Sequence, residues 1–264
     1  MQLRLRTLLF LAFVVALGSL PAAAPMQSQL VREERIVSVS GVRETWRLQW
    51  QAPPELDCMM DLAITCPCQP FAYAEKGKLD LVRLRNGKEF DRLSLSPLFG
   101  DSKAMLQRWP FNDDDPEHWR DFDEEKWMKN ELPRIQKRSP ATIMQPADYD
   151  HDGNATEFYL ATEALPCGKT TGVLVGVSRN NNRLHAFSSV DSPHTPLDLQ
   201  GHEWEALRKS SGPTTVLDWN CDDHGSEHEV YREVQAQAGS IRVRQYDYQC
   251  GPNGRGQLLE SKYR

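Results

Sequence analysis

Large apolar residues fall at every second position from residue 44 to 50, where Trp46, Leu48 and Trp50 alternate with Thr45, Arg47 and Gln49. A period of two predicts a strand with one buried face. Gln51-Ala-Pro-Pro54 ends it, and the cysteine-rich stretch through Cys68 reads as a stapled loop. Residues 78–85 and 88–95 flank Asn86-Gly87, the dipeptide best suited to a two-residue hairpin turn. Asp101 is placed to cap a short helical turn through Ala104-Met-Leu-Gln-Arg108. Asp115-Pro116 opens a longer helix, with the acid at the cap and proline at the first helical position; Pro133 ends it just past Glu131.

Farther along, Glu157-Phe-Tyr-Leu-Ala161 reads as strand. Val173-Leu-Val-Gly-Val177 and Leu184-His-Ala-Phe-Ser188 flank the polar turn Arg179-Asn-Asn-Asn182 and predict a second hairpin. Residues 201–209 carry Trp204 and Leu207 in a short helix that stops before Gly212-Pro213. Residues 214–219 and 241–248 read as strands, while 228–236 satisfies parts of both the helical and the strand pattern. No unit repeats at a fixed spacing, and no linker-like stretch divides the chain. The expected fold is mainly β with inserted short helices, an α+β arrangement whose antiparallel sheets pack in a sandwich-like way and are stapled by disulfides.

The N-terminus changes the picture. Arg4 and Arg6 precede an apolar run from Thr7 to Leu20, and small residues Ala22-Ala23-Ala24 follow. That order is the order of a secretory signal peptide, and the run is shorter than the roughly 20 residues needed to cross a bilayer. Residues 1–24 are therefore expected to be the signal, and 25–264 a single exported domain. Nothing later in the chain is apolar for long enough to span a membrane, so the mature protein is expected to be secreted or periplasmic. Losing two arginines and no acids moves the net charge from −6 to −8. An acidic chain without a lysine/arginine cluster has no long-range pull on nucleic acid.

Export also bears on the six cysteines, Cys58, Cys66, Cys68, Cys167, Cys221 and Cys250. An even number in an exported chain reads as up to three disulfides, with about 15 connectivities open. Pro67 stiffens the Cys66–Cys68 pair, which is expected to reach two different partners.

The densest chemistry lies in Asp148-Tyr-Asp-His-Asp-Gly153. Carboxylates at alternate positions before a glycine place several hard oxygens on one side of a tight turn, as a calcium ion requires. Asp148, Asp150 and Asp152 are candidate side-chain ligands, Asn154 offers its backbone carbonyl, and Glu157 is the candidate last ligand. The spacing resembles an EF-hand loop as far as Gly153, but the twelfth place holds Tyr159 rather than glutamate, and the flank reads as strand. It resembles more closely the Asp-rich loops of FG-GAP and VCBS-type repeats, which precede an apolar strand. Those place an acid around the ninth position, where this chain has Thr156, with Glu157 one place later. The resemblance covers about 13 residues and implies bound Ca2+, not an activity.

Other motifs weigh less. His224-Gly-Ser-Glu-His228 matches the string of inverted zinc metallopeptidases, but Gly225-Ser226 suits a loop better than the helix that chemistry needs. Cys167-Gly-Lys-Thr170 lacks the earlier glycine of a phosphate-binding loop, since residue 163 is Glu163. The expected function is that of an exported, calcium-stabilised, disulfide-bonded protein with a binding or structural role and a protein or carbohydrate ligand. The alternative is a secreted hydrolase in which calcium shapes a site drawn from Asp222, Asp223 and the histidines. Carbohydrate binding through the seven tryptophans would need at least two of them exposed and coplanar.

Overall fold

A computed structural model describes residues 30–57, 73–112, 129–165, 169–221, 223–252 and 254–264. Strand dominates, and every pairing among the described residues is antiparallel. The first sheet has the order β1 (Val31–Val39), β2 (Val42–Trp50), β5 (Leu79–Arg85), β6 (Lys88–Ser94). The hairpin expected at Asn86-Gly87 joins its last two strands, while β1 extends the sheet at residues whose pattern had suggested nothing. A second sheet is built on β9 (Thr170–Ser178), which pairs with β8 (Glu157–Ala164) on one edge and with β10 (Asn181–Ala186) and β11 (Asp198–Gln200) on the other. The third runs β12 (Thr214–Trp219), β13 (His228–Gln237), β14 (Ser240–Gly251), β15 (Gly254–Tyr263). A small sheet of β3 (Glu55–Asp57), β4 (Ala74–Gly77) and β7 (Ala104–Gln107) sits beside them.

The sheets stack in layers around β9. Val173, Val175 and Val177 on one face of β9 join Phe158 and Leu160 against Trp46, Leu48 and Leu81 of the first sheet. Leu174 on the other face meets Trp204 and Leu207 of the helix α2 (Gly201–Lys209) and Val234, Ala236, Ile241 and Val243 of the third sheet. A strand covered on both sides loses the alternation of a half-buried one, which is why β9 is an almost continuous apolar run. The helix α2 is held at its start by Glu203, whose carboxylate accepts the Gln200 backbone N–H at 2.7 Å.

Several sequence expectations are corrected or completed. The segment expected to form a helical turn up to Arg108 is instead strand β7, in which Ala104 and Leu106 are buried and Met105 and Gln107 are half-buried. Four residues are too few to separate the two periods, and pairing with β4, distant in sequence, decides the matter. Pro133 sits in the first turn of α1 (Leu132–Ile135), where its missing N–H costs nothing, and the helical residues 129–130 are separated from α1 by a turn at Glu131, just ahead of that proline. The helix expected from Asp115 lies largely outside the described residues. Residues 228–236, ambiguous by pattern, are strand β13.

Cys221 and Cys250 form a disulfide that ties the end of β14 to the turn after β12. The chain-entropy account gives a loop of this length, with 29 residues of separation, a stabilisation of about 3–4 kcal/mol. Cys58, Cys66, Cys68 and Cys167 lie outside the described residues. Among the described residues no helix is long and apolar enough to cross a membrane.

Candidate metal centre

The Asp-rich segment leads into β8, and a backbone bridge pinches its neck. Ala147 N–H donates to the Glu157 carbonyl at 2.8 Å and Glu157 N–H donates back at 3.2 Å. Within this neck the chain turns sharply, with His151 at φ 52° and Gly153 at φ 94°, both in the left-handed region. Glycine reaches that region without strain, as the sequence pattern requires. Glu157 is set by a close backbone approach: it lies opposite Gly176, where an added Cβ would stand 2.1 Å from the Thr156 carbonyl oxygen.

The turn brings Asp148, Asp150 and Glu157 together, with one carboxylate oxygen from each lying within 4.8 Å of the others. This cluster could hold a metal ion. Asp150 and Glu157 are fully buried. Asp148 accepts the N–H groups of Asp152 and Gly153, both at 3.0 Å, and Asp150 Oδ1 accepts the Asp152 N–H at 3.1 Å. Glu157 accepts the Tyr149 N–H at 2.9 Å and the Thr156 hydroxyl at 2.6 Å. Asp150 Oδ2 is different. It is buried and has no hydrogen-bond partner among the described residues. A buried carboxylate oxygen left without a partner costs free energy unless a cation meets it.

Electrostatics say the same. Burial, reinforced by the Asp152 and Asp148 carboxylates, pushes the Asp150 pKa up to about 7. Burial and the nearby Asp150 push Glu157 up to about 8, against the opposing hydrogen bond from Thr156. No arginine or lysine forms an ion pair with either group among the described residues. Arg179 spends its guanidinium on the Asp152 backbone carbonyl, and His151 beside Asp150 opposes its upward shift without cancelling it.

The other two predicted ligands, Asp152 and Asn154, also take part in fastening the loop. The Asp152 carboxylate accepts the Arg179 backbone N–H at 2.5 Å and both the backbone and side-chain N–H of Asn154 at 2.8 Å. Asp152 therefore fastens the loop to the β9–β10 turn, and it is not one of the three converging acids. Asn154 shares in that fastening through its side chain. Residues the sequence pattern did not single out complete the setting. Gly239, in the β13–β14 turn, donates its N–H to the Asp150 carbonyl at 2.9 Å. His151 Nε2 lies 2.7 Å from the Leu207 carbonyl at the end of α2, and Tyr149 packs into the second core. None of these contacts has a local sequence signal, since each crosses from the loop to a distant element.

The other candidate chemistry does not assemble. His224 lies in a 3-10 turn and His228 begins a strand, so the two cannot share the helical face a zinc peptidase needs. Asp222 and the His224 side chain lie outside the described residues, and Asp223 pairs with Lys169 at 3.0 Å. His185 and His202 each set a ring nitrogen against a backbone carbonyl, at 2.9 Å in both cases. Trp46, Trp50, Trp109 and Trp204 are buried, so none of these four presents a ring for stacking. Comparison with family models, with curated proteins and with solved structures finds no match for this chain.

Proposed function

We propose that the protein is an exported, calcium-stabilised binding or structural scaffold, in which the ion fastens a junction and does no chemistry. The unpartnered, fully buried Oδ2 of Asp150 beside two further carboxylates carries this reading. Calcium fits better than magnesium because a protein-built set of carboxylates suits a large, flexible oxygen shell. Magnesium keeps more of its waters. The loop touches the β9–β10 turn through Asp152, the β13–β14 turn through Asp150 and α2 through His151, so an ion there would fix all three elements relative to β8. Export is supported by the apolar leader and by a disulfide suited to an oxidising compartment.

Metal analysis of protein never exposed to chelator, followed by thermal melts with EDTA and with calcium, tests the reading. Free calcium at about 100 times its dissociation constant should add roughly 2.7 kcal/mol. A protein that carries no calcium as isolated, and melts identically in both conditions, would remove the proposal.

A further inference from the structure

Strand β8 has one partner strand among the described residues, β9, and its other edge is open beyond Glu157. The Ala147–Glu157 bridge fixes which backbone groups face that edge, because both of its hydrogen bonds leave Glu157 on the side away from β9. Alternation along the strand points the N–H and C=O of Tyr159 and Ala161 the same way. The Leu160 carbonyl between them faces β9, where an added Cβ on Gly172 would stand 2.2 Å from it. No described strand pairs with Tyr159 or Ala161 on the open side. A row of unpaired N–H and C=O groups is a template for one more strand.

Two hollows adjoin residues 159–163 of this strand, on the face that looks toward the first sheet. The first, about 190 Å³, has Met105, Leu106, Ile143 and Leu160 in its walls and also reaches Tyr159 and Ala161. Whole small ligands fill roughly 300–1,000 Å³, so this hollow suits a single apolar side chain. The second, about 500 Å³, begins at the next residues, Thr162 and Glu163. Pro97, Leu98 and Val173 give it apolar walls, and Glu163 and Asp198 are its charged groups. Glu163 lies opposite Thr171 and Asp198 opposite Val173, so the two acids flank β9 with two strand spacings, about 10 Å, between their strands. Thr171 donates its hydroxyl to Asp198 Oδ1 at 2.6 Å. Neither acid forms an ion pair among the described residues. The bases around them are engaged: Lys169 pairs with Asp223 at 3.0 Å, and Arg232 with Glu203 and Asp218 at 2.7 and 3.0 Å. Partial burial holds the Asp198 carboxyl above its ordinary range, against the Thr171 hydroxyl and the charges of Arg232 and Arg264.

We propose that an extended peptide adds antiparallel to the open edge of β8, with an apolar side chain in the first hollow and a lysine or arginine, two positions earlier, in the second. The free backbone groups of Tyr159 and Ala161 supply the affinity, and the two hollows supply the choice of side chains. A residue opposite Leu160 shares its face and so enters the apolar hollow; the next residue on that face arrives beside Glu163. A lysine there lays its stem along Val173 and Leu98 and carries its ammonium to the two acids. Ala147 already occupies the place opposite Glu157, so the peptide ends or departs after the residue that faces Tyr159. The inference rests on the binding role proposed above and names a peptide as the ligand. Its acids are not those of the metal cluster, so the two ideas fail separately.

Fluorescence anisotropy of a labelled peptide, Thr-Val-Thr-Lys-Thr-Leu-Thr, titrated with the oxidised protein in saturating calcium, tests it. The peptide should bind saturably. A counterpart with glutamate in place of its lysine should bind about tenfold more weakly or worse, since like charges then face one another. The double variant Glu163→Gln/Asp198→Asn should bring the two peptides within about threefold of each other. Ala161→Pro removes an N–H from the open edge while leaving the pairing with β9, and should weaken both peptides alike. Melting temperatures of both variants verify that the sheets are intact. No saturable binding to the wild type, equal binding of the two peptides, unchanged binding to folded Ala161→Pro, or displacement by cadaverine as effective as by unlabelled peptide would overturn the proposal, whatever the EDTA melts show.

Discussion

Two of the regions in which this protein buries acids answer the same cost in opposite ways. In the first sheet, Glu44 and Asp91 are buried around Arg83, whose guanidinium donates to Glu44 at 2.8 Å and to Asp91 at 3.3 Å. Arg83 also donates to the Asn182 carbonyl at 2.7 Å, which binds the first sheet to the start of β10. Burial alone would raise the Glu44 pKa, yet the hydrogen bonds from Arg83 and Arg85 outweigh it and hold the carboxyl below its usual range. At the Asp-rich loop no guanidinium stands among Asp148, Asp150 and Glu157, and burial drives Asp150 and Glu157 upward instead. The β9–β10 hairpin joins both regions, through Asn182 in one and Arg179 in the other. One cluster carries its own counter-charge; the other has none among the described residues and could hold a cation.

Breaking the self-sufficient cluster should have the largest effect. Arg83→Met removes the buried cation that Glu44 and Asp91 share, leaving them only the more exposed Arg85 and Arg183, and should lose about 3–5 kcal/mol by chemical denaturation, whether or not calcium is present. If the variant is rescued by calcium, the two clusters are not independent.

Next in size is calcium itself, at the roughly 2.7 kcal/mol given above, which corresponds to a rise of about 5–10 °C for a domain of this size. Its pH dependence sharpens the contrast. With pKa values near 7 and 8, the ion-free fold retains protons that the unfolded chain, titrating near 4, has already released. Stability of the ion-free protein is therefore greatest below about pH 4 as far as these two groups go, and falls as pH rises through 7 to 8. Calcium competes with those protons, so its stabilising effect should grow from pH 5 to pH 8. Melts in EDTA and in calcium across that range read both slopes. A calcium effect that shrinks as pH rises would contradict this assignment of the two acids.

A smaller effect is expected at Gly239. Its φ is +86°, and an added Cβ would stand 3.5 Å from Asp150 Oδ2. Gly239→Ala should cost about 1–2 kcal/mol through left-handed backbone strain. It should also blunt the calcium response, which a strain confined to the turn would leave untouched. Titration of the melting temperature with calcium separates the two contributions.

How much of this could be read from residue order depends on the range of each contact. The Asn86-Gly87 hairpin, the strand beginning at Glu157 and the helix α2 rest on local periodicity and turn chemistry, and they stand where the pattern puts them. The convergence of Asp148, Asp150 and Glu157 was likewise visible, because ten residues and one glycine produce it. What escaped was long-range. Pairing with β4 turned a short apolar run into strand β7, and Arg179, from the next hairpin, drew Asp152 into a fastening role. Gly239 reaches the Asp150 carbonyl from a turn nearly 90 residues away.

The central claim is that the loop acids need a cation, and Asp150→Asn tests it most directly. Removing one buried negative charge should make the variant melt above the wild type in EDTA at pH 8, while its calcium response is lost. In saturating calcium the order should reverse, with the wild type the more stable. Curves that cross in this way would establish that the acids are held for an ion. A wild type that melts at the same temperature in both conditions, and above the variant throughout, would show instead that the buried acids are tolerated without one.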